Sequence, residues 1–303
     1  MNEQCYWIWL SRIEGLGPIK IKKLLEIYKT PEQIWKLSKK ELVAIKGIGE
    51  KLAEKILDLS YRENLNNYIS YMQKYDIGII TIQDENYPEK LKHIYDSPVM
   101  LYYRGNKELL TNSKIVAMVG CRECSKYGEY VSKKFSYELA KKGICIISGM
   151  AKGIDSYSHL GCIGAGGKTI AVLGSGIDQI YPKENTALYN QILKIDGLIL
   201  SEYVIGTKPT KLNFPARNRI ISGVSDSVIV VEAKEKSGTL NTVDFALEQG
   251  KDVFVIPGNI TSSSSVGTNE LIKQGAKCIT CVEDVINEMN FRNLKTWGSK
   301  MEP

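Results

Sequence analysis

Hydrophobic residues in the middle of the chain fall into short continuous runs, each followed by a glycine. The runs IVAMV, ICIIS and TIAVL lead to Gly120, Gly149 and Gly174, and the stretches between them are long enough for a helix. Continuous rather than alternating apolar runs are typical of parallel strands covered on both faces. The pattern therefore predicts repeated strand, glycine turn and helix units, which is an α/β architecture.

Further apolar runs flank this central stretch. GIITI and VMLYYRG precede it and are expected to extend the same sheet, while SVIVVEA and VFVIPG follow it. We expect one extended Rossmann-like, parallel-rich sheet over residues 63–288, followed at 289–303 by a short polar tail with no further domain.

The N-terminal 60 residues follow a different pattern, with a repeat of period 32. An apolar residue, a G-h-G turn and a helical apolar pattern occur at Gly15 and Gly17, and again at Gly47 and Gly49. This arrangement resembles paired helix-hairpin-helix motifs and predicts a small all-α, SAM-like domain over residues 1–62. Such turns can hold a backbone phosphate on exposed N–H groups, with Lys46, Lys51 and Lys55 adding charge. A packing module that binds nothing explains the pattern equally well.

Composition and charge add modest constraints. The chain has 303 residues, a formal charge of +6 and a pI near 8.7, which permits a polyanionic partner. The first 60 residues hold 11 basic and 8 acidic side chains, so 11 − 8 = +3, half of the excess. The N-terminus lacks a secretion-signal pattern and no stretch reaches about 18 apolar residues, so we expect a cytoplasmic protein without a membrane span.

Seven cysteines in such a protein are expected to stay reduced. Two C-x-x-C pairs occur, Cys121 with Cys124 and Cys278 with Cys281, but neither has the companion spacing of a zinc ribbon. We therefore expect no metal site.

The glycine turns predict a ligand crevice. Carboxyl ends of parallel strands border one crevice, where helix N-termini offer N–H groups to an anion. Gly120, Gly149 and Gly153 would let a phosphate approach the backbone. Arginine and lysine in these turns suit phosphate contact, and the candidates are Arg122, Lys126 and Lys152. Asp155 is expected to cap the helix that follows.

Two later segments add candidates for the same crevice. FPARNRI supplies Arg217, for which a nucleic-acid contact is favoured, and Asn218. Arg219 suits either a phosphodiester contact or an internal salt bridge with Glu202 or Glu232. KSGTLNT places an anion cradle ahead of a helix, formed by Ser237, Gly238 and Thr239.

No residue set indicates catalysis or a cofactor. LGSGIDQ begins like a dinucleotide fingerprint, but Gln179 replaces the third glycine, so nicotinamide or flavin binding is not expected. His159, one of two histidines, is expected to be a structural residue within a helix. No pairing of serine, cysteine, histidine or carboxylate stands out as a catalytic set.

Seven motifs in order resemble the DNA-processing protein A family. They are VGCR, SGMAKGIDSYSH, TIAVLGSGIDQIYP, SEYVIGTKP, FPARNRIISGVS, VVEAKEKSGTL and VFVIPG, and the resemblance covers about residues 14–286. It implies single-stranded DNA binding by a Rossmann-like domain, a homodimer, and loading of the RecA recombinase during natural transformation. It also implies that Arg122 and Lys152 grip the strand. Cys121 stands where the family usually has Ser or Thr, and the winged-helix domain of many relatives is not expected here.

A second resemblance suggests a different class of protein. The SGTLNT turn is similar to the G-G-x-G-T-x-x-E loop of nucleoside-monophosphate phosphoribohydrolases. Those enzymes require the loop glutamate, and Thr242 occupies that position here. Binding without hydrolysis is therefore favoured, and a scaffold with a vestigial crevice is a third interpretation.

Overall fold

A computed structural model describes residues 2–289, and a nine-stranded sheet organises them. The spatial order of its strands is β1-β2-β6-β5-β4-β3-β7-β8-β9, with β1/β2 and β2/β6 antiparallel and all other pairs parallel. The bounds of the strands are β1 Gly78–Thr81, β2 Met100–Gly105, β3 Ile115–Val119, β4 Cys145–Ser148, β5 Thr169–Leu173, β6 Leu198–Ser201, β7 Ser227–Val230, β8 Asp252–Val255 and β9 Lys277–Cys278.

Helices connect the strands and form the N-terminal region. Their bounds are α1 Glu3–Arg12, α2 Pro18–Tyr28, α3 Pro31–Trp35, α4 Lys39–Val43, α5 Glu50–Leu57, α6 Leu65–Lys74, α7 Glu89–Lys92, α8 Leu109–Asn112, α9 Lys126–Lys141, α10 Ile154–Gly164, α11 Thr186–Lys194, α12 Asn213–Val224, α13 Gly238–Glu248 and α14 Val266–Lys273. Residues 282–289 are also helical, and two 3₁₀ turns span Leu59–Tyr61 and Lys183–Asn185.

The predicted α/β, Rossmann-like class is confirmed, and strand composition explains it. All five residues of β3 and of β5 are buried, because alternate side chains enter cores on opposite faces of the sheet. Val116 and Met118 pack towards α9 and α10, whereas Ala117 and Val119 pack towards α12 and α13. Residues that are apolar at every position fit a strand with two covered faces.

The strand order places a crevice between β3 and β7. Strands β3 to β6 progress in one direction across the sheet, and β7 to β9 progress in the other from the opposite side of β3. At such a topological switch point the loops after the two central strands diverge and leave a cleft at their carboxyl ends. The runs GIITI and VMLYYRG form β1 and β2 and extend the sheet as expected, although they pair antiparallel.

The predicted helical N-terminal region is confirmed as two glycine hairpins. Gly17 precedes α2, Gly49 precedes α5, and neither helix start has a side-chain cap. Gly15 and Gly47 adopt positive φ angles of 83° and 99°, which glycine tolerates at a tight turn. Helix α6, which follows the boundary predicted at residue 62, packs against α1.

The N-terminal helices share a core with the sheet. Trp9 and Leu24 belong to the same buried cluster as Tyr102 of β2 and Ile199 of β6. Among the described residues no helix is long and apolar enough to span a bilayer. Of the predicted tail at 289–303, residues 290–303 lie outside the described range.

Candidate functional site

A cleft of about 600 Å³ opens at the switch point between β3 and β7. The loop after β3, the loop after β7 and the start of α12 line it. Its lining includes Gly120, Arg122, Arg217, Asn218, Ser237, Gly238 and Thr239 from the predicted set, together with Lys211, Phe214, Lys234, Lys236 and Tyr181. The structure thus brings seven of the predicted site residues to one cleft.

Arg122 presents an exposed side chain at this cleft. Its guanidinium carbon lies 5.2 Å from the centre of the Phe214 ring, within cation–π range. The Phe214 ring in turn lies 5.4 Å from that of Tyr181, and the two planes are tilted by 32°. A cation and two aromatic rings therefore stand together at the cleft.

Three further lysines line the cleft, and sequence reasoning did not single them out. Lys211 precedes α12, and Lys234 and Lys236 follow β7. Lys234 pairs with Glu123 at 3.3 Å, but both side chains are well exposed, so water screens the pair and it contributes little to stability. The rule that ligands bind beyond strand carboxyl ends could have identified Lys234 and Lys236, because they lie in the loop that follows the buried strand β7.

A buried pair forms the floor of the cleft. Arg217 is 4% exposed and donates to the carbonyls of Gly149 (2.8 Å) and Val172. Asp155 is 7% exposed and accepts from the N–H groups of Gly149 (3.1 Å) and Ala151 (3.3 Å). Burial raises the pKa of the Asp155 carboxyl, and Arg217 and these donors oppose the shift. Burial also lowers the pKa of Arg217 to about 10, so it stays charged at neutral pH.

This arrangement corrects one expectation. Asp155 does not occupy the N-cap position of α10, because that position is Gly153; Asp155 lies in the first turn and folds back to the preceding loop. Arg217 lines the cleft as predicted, with its Nη1 bonded to the two backbone carbonyls, and its contact with a nucleic acid stays a prediction. Asn218, beside it, accepts from Arg217 Nε at 3.2 Å and lines the cleft.

The turn glycines are required by close packing within the protein. A Cβ at Gly149 would lie 2.7 Å from Arg217 Nη2 and 2.8 Å from Asp155 Oδ2. A Cβ at Gly153, where φ is +75°, would lie 2.3 Å from the Cys121 carbonyl. Protein atoms thus occupy the space around Gly149 and Gly153 that the sequence pattern assigned to a phosphate, and neither glycine lies among the residues that line the cleft.

Arg219 forms the internal salt bridge that was one of its two interpretations. Its side chain is 5% exposed and pairs with Glu202 at 2.6 Å and with Asp96 at 2.8 Å. These carboxylates hold the Arg219 guanidinium within the protein, and Arg219 is not among the residues that line the cleft. Glu232, the other suggested partner, instead accepts from the Ser125 N–H at 2.9 Å.

Lys152 and Lys126 lie outside the residues that line the cleft. Lys152 pairs with Glu184 at 2.6 Å, and both side chains are more than half exposed. Lys126, whose side chain is 97% exposed, pairs with Glu129 at 3.1 Å. Neither pair is buried, so each lysine can exchange its carboxylate for another anion at small cost.

The turn before α13 forms one wall of the cleft. Ser237 is the N-cap and accepts from the Thr239 N–H at 3.2 Å. A Cβ at Gly238 would meet no atom within 4 Å, so this part of the wall is open. Thr242, which replaces the glutamate of the phosphoribohydrolase loop, lines the same wall and is 2% exposed.

His159 is a residue of α10, where it lies away from the cleft lining and faces β5. It is fully buried, and its Nδ1 lies 2.7 Å from Thr169 Oγ1. Burial lowers its pKa to about 3, so the ring is neutral. All seven cysteines lie within the described residues and are unpaired, and no group of three or more potential metal ligands occurs there.

Comparison with known proteins gives two family matches. The model described as DNA recombination-mediator protein A matches residues 78–290. The model described as a SAM-like helix-hairpin-helix tandem matches residues 10–58. The first therefore spans the sheet and its cleft, and the second spans the two N-terminal hairpins.

Individual relatives cover nearly the whole chain. Protein Smf of Synechocystis is 40% identical over 99% of this chain and 76% of its own length. DNA processing protein DprA of Streptococcus pneumoniae is 41% identical over 88% of this chain and 98% of its own. The crystal structure of the latter superposes with a TM-score of 0.82 and covers 95% of this chain and 98% of that one.

A second solved structure is also similar to this chain. It is DNA processing protein A from Helicobacter pylori, described in terms of its single-stranded DNA binding mode. It is 33% identical, has a TM-score of 0.63, and covers 71% of this chain and 96% of that one.

Proposed function

Because the chain belongs to the DNA recombination-mediator protein A family, we propose that the cleft between β3 and β7 binds single-stranded DNA. The observation that carries the proposal is the group of four exposed or loop-borne cations and two aromatic rings at one cleft. Positive side chains that follow the phosphates, with rings on which bases stack, are the usual means of binding single strands without sequence preference.

Each part of the cleft has a separate role in this proposal. Arg122, Lys211, Lys234 and Lys236 neutralise phosphates, and the open turn at Gly238 offers backbone N–H groups. Phe214 and Tyr181 provide the stacking surface. Buried Arg217 and Asp155 both bond to the loop after β4 and so fix that loop beneath the bound DNA. Lys126 and Lys152 contribute charge at the edge of the site.

The salt dependence of binding tests the electrostatic part. Four neutralised phosphates give a slope of log affinity against log salt of about −3, at about −0.7 per phosphate on a single strand. Arg122→Ala should weaken binding of oligo(dT) about tenfold or more and make the slope shallower by about 0.7. Fluorescence anisotropy of labelled oligo(dT) over a range of salt concentrations measures both quantities.

A surface lysine elsewhere is the matched control. Lys273 on α14 is exposed and paired with Glu270 at 3.5 Å, as Lys234 is paired with Glu123. Lys273→Ala should leave affinity and slope unchanged, whereas Lys234→Ala should reduce both. Wild-type affinity in both Arg122→Ala and Lys234→Ala would refute the assignment of the cleft.

We propose binding without hydrolysis at this site. Thr242 has no carboxylate to act near a glycosidic bond, and it is buried in the cleft wall. Incubation with AMP should therefore release no adenine by chromatography, while the same preparation binds oligo(dT). Stoichiometric turnover to adenine would favour the phosphoribohydrolase alternative.

We further propose the finer role implied by the family: a cytoplasmic homodimer that loads RecA recombinase onto incoming single strands during natural transformation. Seven unpaired cysteines are consistent with a reducing compartment. The assay is RecA filament formation on single strands that are already coated with single-strand-binding protein. Addition of the chain should shorten the lag, and Arg122→Ala should not.

A further inference from the structure

Exposed aromatic side chains form a second surface, on α9 and α10. Tyr130 (64% exposed), Tyr137 (43%) and Leu160 (38%) surround a shallow groove of about 310 Å³. Gly161 and Gly164 form its floor. A Cβ at Gly161 would lie 2.1 Å from Ser136 Oγ, so the two helices are in close contact beneath the groove. None of these residues belongs to the cleft.

Lysines accompany the rings of this surface. Lys141 Nζ lies 5.7 Å from the Tyr137 ring centre, and Lys133 Nζ lies 4.7 Å from that of Tyr157. The exposed face of α9 carries four lysines and two glutamates, so its net formal charge is 4 − 2 = +2. They are Lys126, Lys133, Lys134, Lys141, Glu129 and Glu138. A surface on which aromatic rings alternate with cations and the net charge is positive suits a single-stranded nucleic acid, which offers bases for stacking and phosphates for the cations. An apolar protein partner offers neither.

The surface is continuous with the cleft. Helix α9 begins four residues after Arg122, and α10 begins two residues after Lys152. The Gly153 backbone packs against the Arg122 carbonyl, where a Cβ would lie at 2.4 Å, so the two helix starts are adjacent. Tyr157 lies one turn further along α10, beside Lys133 of α9. A strand that leaves the cleft past Arg122 thus meets Tyr157 and then the groove.

We propose that the α9–α10 surface is a second binding segment for the same single strand, which stacks bases of the emerging nucleotides on Tyr130 and Tyr137. This inference rests on the proposed function of the cleft. The two tyrosines are seven residues apart, about 10 Å along the helix axis, a span of a few nucleotides. The consequence is that affinity grows with strand length beyond what the cleft alone accommodates.

The test compares short and long strands. An oligo(dT) of about 6 nucleotides engages the cleft, and one of about 20 reaches the groove, given the usual site sizes of single-strand binders. The double variant Tyr130→Ala with Tyr137→Ala should bind the short strand as wild type does and the long strand at least about thirtyfold more weakly, since each of the two stacked bases contributes at least about 1 kcal/mol. Anisotropy titrations measure both affinities.

Two further variants control the interpretation. Tyr75 is 41% exposed with Lys74 Nζ 5.3 Å from its ring, which closely matches Tyr137, and Tyr75→Ala should bind both strands normally. The double variant Tyr130→Leu with Tyr137→Leu preserves an apolar surface but removes the rings. It should therefore lose affinity for the long strand as the double alanine variant does.

The outcomes separate the two proposals. If wild type binds both strands and the alanine variant does too with unchanged affinity, the groove proposal is overturned while the cleft stands. A leucine variant that retains full long-strand affinity, or an alanine variant that changes only the oligomeric state by light scattering, also overturns it. Failure of wild type to bind the short strand at all rejects the cleft itself.

Discussion

Three arginines near the cleft differ in what surrounds their guanidinium groups. Arg122 is exposed beside an aromatic ring, Arg217 is buried on backbone carbonyls, and Arg219 is buried between two carboxylates. A guanidinium whose donors are already satisfied inside the protein has little left for a ligand, because breaking those bonds leaves buried carbonyls or carboxylates unpaired. Of the three, Arg122 is the one whose side chain is exposed at the cleft.

Sequence alone could place these arginines but could not assign their roles. The sequence pattern assigns the first glycine turn and the FPARNRI and KSGTLNT segments to one crevice, and residues of all three line the cleft. The partners of Arg219 lie 17 and 123 positions away in the chain, on other elements. No local sequence pattern predicts such contacts. The buried position of Arg219 in the structure shows that it forms the internal salt bridge.

His159 makes stability depend on pH. Its folded pKa of about 3 lies below the ordinary value of 6.5, because its site is fully buried. The unfolded chain therefore takes up the proton first, and the stability present above about pH 6.5 is lost as the pH falls towards 3. This histidine contributes about 1.4 kcal/mol per pH unit in that window. Urea unfolding of His159→Gln should show a flatter loss between pH 6.5 and 4 than wild type shows.

The other histidine is the control for that prediction. His93 is exposed, so His93→Gln is the matched surface substitution, and the difference between the two variants isolates the effect of burying a histidine. NMR of the wild-type protein provides an independent measurement, in which the His159 ring signals should not shift between pH 7 and 5. A titrating His159 ring in the folded state would contradict the prediction.

At the scale of elements, glycine turns hold α10 against the loop after β3. The sequence pattern located these turns correctly but assigned the space around them to a ligand. The structure fills that space with the Cys121 and Arg122 carbonyls, which lie 2.3 Å and 2.4 Å from a Cβ built at Gly153. A glycine in a sequence indicates that some group packs close to its Cα, but not whether that group is a ligand or part of the protein. Only the structure distinguishes the two.

Gly153→Ala should therefore lower the free energy of unfolding by more than backbone strain alone would. Gly166 provides a matched case, with φ of +73° against +75° but no atom within 4 Å of its Cβ position. Gly166→Ala should destabilise the protein by about 1 kcal/mol. Gly153→Ala should cost about 1–3 kcal/mol more, since the methyl group displaces backbone atoms. Urea unfolding gives both free energies, and equal losses in the two variants would show that the loop yields without cost.

At the scale of the whole molecule, the helical hairpins and the sheet share one hydrophobic core. The sequence distinguishes them by pattern, because a 32-residue helical repeat gives way to strand runs. It could not show that Trp9 and Leu24 pack in one cluster with Tyr102 and Ile199. Two regions with a common core cannot expose their joint surface independently without losing the burial that stabilises both.

The shared core predicts a single unfolding transition. Trp7, Trp9 and Trp35 lie in the N-terminal helices, so in Trp297→Phe protein the fluorescence reports that region while circular dichroism reports the whole chain. The two urea curves should coincide.

Phe254 of β8 offers a sharper test of the same coupling. It is buried in the cluster beneath α9 and α10, which is separate from the cluster that holds the tryptophans. Phe254→Leu removes packing there and should lower stability by about 1 kcal/mol. If the molecule unfolds as one unit, the tryptophan fluorescence midpoint must fall together with the dichroism midpoint, although none of the tryptophans at positions 7, 9 and 35 belongs to the substituted cluster. A fluorescence midpoint that stays in place while the dichroism midpoint falls would show that the hairpins unfold independently of the sheet that carries the cleft.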